Sequence, residues 1–141
     1  CLWITTAESC TGGGVSYALT DTPGSSAYID RAFVTYSNQA KQDLLNVSAS
    51  TLTQFGAVSE QTVREMALGA IKAANANIAI AISGIAGPGG ATEDKPVGLV
   101  WFGIQINDKQ LALKQVFTGD RAQVRLQAIV FSLKSVIDEI K

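Results

Sequence analysis

Residues 77–83, NIAIAIS, are almost wholly apolar and run straight into GIAGPGGATEDKP (84–96), a long loop rich in glycine. A short apolar run that stops at such a loop is the signature of a strand buried on both faces, and such strands belong to sheets covered by helices on each side. The rest of the chain supplies the helices. Just before the run, Val63, Met66, Ala67, Ala70, Ile71 and Ala74 recur at helical spacing, one apolar face for packing on a sheet. Ser48 and Ser59 stand where the N-caps of two helices belong. Residues 1–7 and 28–36 read as two more strands. A short helix over 14–20 follows the first, and a helix over 38–46, with Asn38 near its start, follows the second. Between them TDTPGSS (20–26) is a loop. Residues 97–106 and 110–117 predict an antiparallel hairpin about Asn107-Asp108-Lys109. Asp120 predicts the cap of a last helix with a buried stripe of Leu126, Ile129, Val130, Leu133, Ile137 and Ile140. Strands alternate with helices apart from one hairpin. The expected fold is therefore α/β, a three-layer α/β/α sandwich on a mixed, mostly parallel sheet, and residues 1–141 suit a single domain.

Composition narrows the function. Hydrophobic residues make up 47% and charged ones 16%, enough for a core and too little charge for disorder. The net charge is −1 and the basic residues are scattered, so nothing points to nucleic acid. No apolar stretch approaches the roughly 18 residues that span a bilayer, no signal peptide opens the chain, and the expected location is cytoplasmic. Cys1 and Cys10 lie roughly 25–30 Å apart if the segment between them is extended, too far for a disulfide, and free thiols suit a reducing compartment.

The chain contains no histidine. That excludes Ser-His-Asp and Cys-His catalysis within it, and HExxH zinc sites as well. Two cysteines alone make a poor structural zinc site. No metal or cofactor is expected, and a hydrolytic base must be Lys, Asp, Glu or Tyr, or come from outside.

Four segments could carry chemistry: ESCTGGG (8–14), TYSNQAK (35–41), SGIAGPGG (83–90) and TGDRAQVR (118–125). The first three directly follow predicted strands, where ligands collect in open α/β sheets. Ser9 sits at a strand-to-helix turn whose glycines 12–14 allow close backbone approach, although a tight turn without a ligand would read the same. Phosphate fingerprints do not fit: Tyr17 holds the third position of a GxGxxG pattern begun at Gly12 and Gly14. A serine nucleophile needs a base. With no histidine, Lys41 can serve if burial lowers its pKa; otherwise it is a solvated helix lysine. Tyr36 and Ser37 end the strand before it. Cys10 is the rival nucleophile, or simply a small buried residue. The 83–90 loop could offer amides to an oxyanion or to ribose. Arg121 and Arg125, four apart, share a helix face that holds a phosphate or else merely faces solvent.

At these segments the chain resembles the CinA C-terminal domain family. The matching stretches are TAESCTGG (6–13), LTDTPGSS (19–26), VTYSNQAK (34–41), FGAVSE (55–60), SGIAGPGG (83–90), KPVGLVWFGI (95–104) and FTGDRAQVR (117–125), in the family order over nearly the whole chain. The resemblance implies hydrolysis of the carboxamide of nicotinamide mononucleotide to nicotinic acid mononucleotide and ammonia. It implies Ser9, Lys41 and Tyr36 as catalytic residues. Backbone amides near Cys10, Thr11 or the 84–87 loop would hold the oxyanion, and Arg121 or Arg125 the 5′-phosphate. The expected substrate-binding set is Cys10, Thr11, Gly12, Gly13, Ser83, Gly84, Ala86, Gly87, Arg121 and Arg125. Ser83 stands where the family commonly has threonine, so a hydroxyl is kept. The family's usual helix before the first strand is expected to be missing from residues 1–141. The partner implied is a small molecule, without nucleic acid or membrane, and a homo-oligomer is compatible with this reading. The alternative is a non-catalytic nucleotide-binding or protein-interaction module, since a fold can outlive its chemistry.

Overall fold

The computed structural model describes residues 2–141; Cys1, and with it any Cys1–Cys10 distance, lies outside the described residues. The strands are β1 (Ile4–Glu8), β2 (Phe33–Val34), β3 (Ile78–Gly84), β4 (Leu99–Ile106) and β5 (Lys109–Val116). They form one sheet in the order β2-β1-β3-β4-β5. β1 pairs in parallel with β2 and β3, while β4 is antiparallel to both neighbours, so four strands run one way and β4 alone is reversed.

Helices cover both faces. α1 (Gly14–Leu19) and α5 (Arg121–Ile140) lie on one, over a core built on Ile80, Ile82, Phe102 and Ile104. α2 (Asn38–Leu45), α3 (Ala49–Phe55) and α4 (Glu60–Ala74) cover the other, over Ala7, Ala79 and Ala81. The alternation of large and small residues along NIAIAIS sorts the two cores, because successive side chains of a strand point to opposite faces. The isoleucines fill the α1/α5 side, and the alanines leave room for α4 to lie close.

Two expectations need correction. The predicted strand over 28–36 shrinks to Phe33–Val34, preceded by a single bridge from Ile29 to Ile4. Asp30 and Arg31 intervene at the sheet edge, where their exposed side chains pair with each other and the Arg31 carbonyl accepts the Thr5 hydroxyl instead of a ladder amide. In α5 the buried row is Val124, Ala128, Ser132 and Val136, with Ile129, Phe131 and Leu133 partly buried, whereas Leu126, Val130, Ile137 and Ile140 are exposed. The packed face carries small residues as well as large ones, so bulk alone pointed to the wrong row. Ser132 is accommodated because its hydroxyl donates to the Ile129 carbonyl within the helix.

The helix starts follow their caps. Ser37 and Ser59 accept the Ala40 and Thr62 amides, and Asp120 forms a capping box with Gln123. Ser48 caps α3 without a side-chain bond to it. One close approach positions the chemistry. At Gly69 of α4 a Cβ would come within 1.9 Å of the Leu45 carbonyl, so α2 can lie against α4 only because residue 69 has no side chain. Lys41 lies one turn earlier on α2. Gly69→Ala should therefore push α2 outward, lower stability by about 1–3 kcal/mol in urea denaturation, and reduce any activity that depends on Lys41 more than its stability loss accounts for.

Candidate active site

β1 delivers two functional side chains to opposite faces. Ala7 packs beneath α4, so Glu8 turns toward α1 and Ser9 back toward α2. The Glu8 carboxylate is fully buried. Its Oε1 accepts the Thr11 hydroxyl at 2.7 Å and the Val15 amide at 2.9 Å. Its Oε2 accepts the Thr6 hydroxyl at 3.1 Å and the Ser16 amide at 2.9 Å. These four bonds pin the turn 9–14 against the start of α1. Gly12 and Gly13 make the turn possible, with φ of 58° and 99° in the left-handed region. Ser9 itself is held by its amide, which donates to the Ile82 carbonyl at 3.0 Å.

Lys41 reaches the same point from α2. It is 1% exposed, and its Nζ lies 2.7 Å from the Thr35 carbonyl, 3.2 Å from the Tyr36 carbonyl and 3.1 Å from Ser9 Oγ. Thr35 is buried and fixed by its amide, which donates to the Glu8 carbonyl at 2.7 Å. Among the described residues no carboxylate pairs with the ammonium. Burial lowers the Lys41 pKa from its usual 10.5 to about 8, a smaller Coulombic contribution from Cys10 opposing the shift. A neutral amine has two N–H donors and one lone pair. As an ammonium, Lys41 donates to Ser9 Oγ and to the two carbonyls, and the Ser9 hydroxyl donates to the Tyr36 carbonyl at 3.4 Å; on loss of one proton the two remaining donors can stay on the carbonyls, which frees the lone pair toward the Ser9 hydroxyl.

Cys10 is buried, and burial, with a small contribution from Glu8, pushes its thiol up to about 11 against the lowering effects of its own amide, Arg125 and Lys41. It stays protonated near neutrality and is a poor nucleophile there.

These groups open into a cleft of about 260 Å³ lined by Ser9, Cys10, Tyr36, Lys41, Ser83, Gly84, Ala86, Gly87 and Arg121. The Tyr36 side chain, 60% exposed, stands at the rim; its backbone carbonyl, not its phenol, contacts Lys41. The phenol oxygen accepts from Arg121 at 3.1 Å, and Arg121 also donates to the Gly87 carbonyl at 2.8 Å. Arg125 faces elsewhere. It donates to the Cys10 and Thr11 carbonyls and borders a separate groove with Thr11, Gly12 and Gly13. Among the described residues no cluster of three or more His, Cys, Asp or Glu side chains could hold a metal, and no helix is long and apolar enough to cross a membrane.

Sequence reasoning overlooked Glu8, Thr35 and the cleft walls Ala57 and Val58. Glu8 had one available signal, a carboxylate at the end of an otherwise uncharged strand directly before a glycine turn. Thr35 acts through its backbone carbonyl, which side-chain chemistry does not reveal.

The CinA C-terminal domain model matches residues 2–140. The chain belongs to this family. It is 60% identical over 138 residues to the nicotinamide-nucleotide amidohydrolase PncC of Enterobacter agglomerans, covering 97% of this chain and 84% of that protein. The Escherichia coli K12 protein of the same name is 52% identical over 134 residues, covering 94% and 81%. The crystal structure of the competence/damage inducible protein CihA from Agrobacterium tumefaciens superposes with a TM-score of 0.96 at 46% identity, over 99% of this chain and 86% of that one. The family fold thus agrees with the mixed sheet and its helical layers described above.

The high thiol pKa has a chemical consequence. Iodoacetamide at pH 8 should leave Cys10 unmodified in the folded protein and alkylate it after denaturation in urea, as peptide mass mapping would record.

Proposed function

We propose that this chain is an amidohydrolase that cleaves the carboxamide of nicotinamide mononucleotide, giving nicotinic acid mononucleotide and ammonia, with Ser9 as nucleophile and Lys41 as base. The observation that carries the reading is the buried Lys41 amine at 3.1 Å from Ser9 Oγ, its other contacts being two carbonyls. The two PncC relatives bear names that state this activity.

In the proposed first step Ser9 Oγ attacks the carboxamide carbon while its proton passes to Lys41. The carbonyl oxygen takes the negative charge and is met by backbone amides of the Cys10–Thr11 turn or the 84–87 loop. Lys41 then returns the proton to the amide nitrogen as the C–N bond breaks and ammonia leaves. A water molecule, deprotonated by Lys41, attacks the acyl-Ser9 ester. The C–Oγ bond breaks, and the proton goes back to Ser9. The two carbonyl acceptors keep the Lys41 amine aimed through both half-reactions. Of the two arginines, Arg121 has its guanidinium on the cleft and is the better candidate for the 5′-phosphate, since Arg125 is engaged with the turn's carbonyls. Tyr36, bonded to Arg121, would orient it.

The first test is ammonia release from nicotinamide mononucleotide by the purified protein. Ser9→Ala should abolish turnover, and a folded Lys41→Arg variant, which cannot lose its proton near neutrality, should lose about 10²–10⁴-fold in kcat. The base works as the neutral amine, whose population grows as pH rises toward and past the Lys41 pKa. The kcat/KM of the wild type should therefore climb between pH 6 and 8 and level off above about 8. Arg121→Ala should lower kcat/KM by roughly 10- to 100-fold and leave nicotinamide riboside turnover nearly unchanged. Absence of ammonia release under all these conditions would favour the non-catalytic nucleotide-binding module instead.

A further inference from the structure

The short helix α3 is held at both ends by charged side chains from elsewhere in the fold. Of its own side chains only Leu52 is buried, so apolar packing by itself fixes it weakly. At its start, Glu65 of α4 accepts the Ser48 amide at 2.8 Å and the Thr51 hydroxyl as well. At its end, Lys95 donates to the Phe55 carbonyl at 2.6 Å. That carbonyl belongs to the last residue of the helix, where intrahelical donors run out and a cation is favoured. Among the described residues Lys95 has no carboxylate partner, although Glu93 and Asp94 directly precede it.

The bond joins two parts of the cleft. Ala57 and Val58, directly after α3, line it from one stretch of chain, and Gly84, Gly87, Gly89 and Gly90 line it from the loop after β3. Beyond Gly90 that loop tightens into a turn in which Thr92 and Lys95 exchange backbone bonds at 2.9 and 3.3 Å, and the turn carries the Lys95 side chain back to α3. Among the described residues this is the one hydrogen bond between residues 49–58 and the loop 84–96. Gly56 suits the contact: a Cβ there would stand 2.9 Å from Lys95 Nζ, so the ammonium is seated against bare backbone. The Gly56 carbonyl in turn accepts the Ser59 and Thr62 hydroxyls at 2.9 and 2.7 Å, which holds the same wall from the α4 side.

We propose that Lys95 is a positioning residue that sets the gap between the 57–58 wall and the glycine loop, and through it how tightly the cleft grips its substrate. This rests on the amidohydrolase reading above. Lys95 does not line the cleft; it acts through the Phe55 carbonyl. A wall touches bound substrate and transition state alike, so slackening it weakens both and shows in KM, while Ser9 and Lys41, held by β1 and α2, keep kcat. An arginine at this position can still donate to the carbonyl, whereas a methionine has similar reach and no donor.

The test compares wild type, Lys95→Met and Lys95→Arg by two measurements: hydrogen exchange of the free protein read by mass spectrometry, and steady-state ammonia release from nicotinamide mononucleotide. In Lys95→Met, exchange at residues 53–58 should quicken, while exchange at residues 35–41 and the thermal midpoint stay as in wild type. Its KM should rise by about 3- to 10-fold with kcat within about twofold, and Lys95→Arg should bring both measurements back to near the wild-type values. Absence of wild-type ammonia release would defeat the amidohydrolase reading, and the exchange comparison would then decide on the Lys95 tether by itself. Unchanged exchange at residues 53–58 would overturn the proposal whatever the activity. An unchanged KM, a fall in kcat as large as the rise in KM, or a failure of Lys95→Arg to restore the wild-type values would overturn it too, as would faster exchange throughout the chain, the mark of a merely structural role.

Discussion

The chemistry proposed for this molecule hangs on one lysine taken out of water without a counter-charge. An ammonium in that position is expensive, and the protein offers it only two carbonyls and a hydroxyl. The balance tips toward the neutral amine near pH 8. A carboxylate beside Lys41 would have satisfied the charge and held the amine protonated, unfit for the role proposed for it. The nearest buried carboxylate, Glu8, is instead spent on the opposite face of β1, where four donors occupy its oxygens. Strand alternation is what keeps the two apart, since consecutive residues 8 and 9 serve different layers.

The rest of the fold supports that separation. Gly69 lets α2 sit low enough for Lys41 to reach Ser9. The small alanines of β3 make room on the same side, and the glycine turn after β1 stops the strand where Ser9 enters the cleft. Arg125 reinforces the turn from behind through the Cys10 and Thr11 carbonyls, which explains why two arginines on one helix face have different surroundings. Arg121, a turn earlier, bridges the Gly87 carbonyl and the Tyr36 phenol at the mouth, tying three loops together.

Much of this was legible in the sequence. The apolar run at 77–83, the loop after it and the polar caps at Ser59 and Asp120 carry strong local signals, so the sheet, the helices and their order could be read. The absence of histidine focused attention on lysine, and the ordered motifs identified the family. What could not be read depends on tertiary geometry. The edge strand near Phe33 is short because Asp30 and Arg31 turn to solvent, a choice made by the sheet's limit rather than by propensity. The packed face of α5 runs through Ala128 and Ser132, small residues that periodicity of large side chains passes over. Thr35 and Tyr36 present backbone carbonyls to Lys41, and main-chain acceptors leave no mark on a side-chain pattern. Glu8 was visible as a residue, but its role depends on which way β1 faces.

The central claim is that burial lets Lys41 lose its proton close to neutral pH, at a midpoint far below that of a free lysine. Its side-chain titration can be followed by NMR through the ¹³Cε resonance, assigned with a Lys41→Met variant, which needs neither substrate nor turnover. The account predicts a midpoint near pH 8, well below the value of about 10.4 for a free lysine. A Lys41 resonance titrating near 10.4, with the protein folded throughout, would mean that the residue is a permanent cation at neutral pH and would contradict the serine–lysine mechanism.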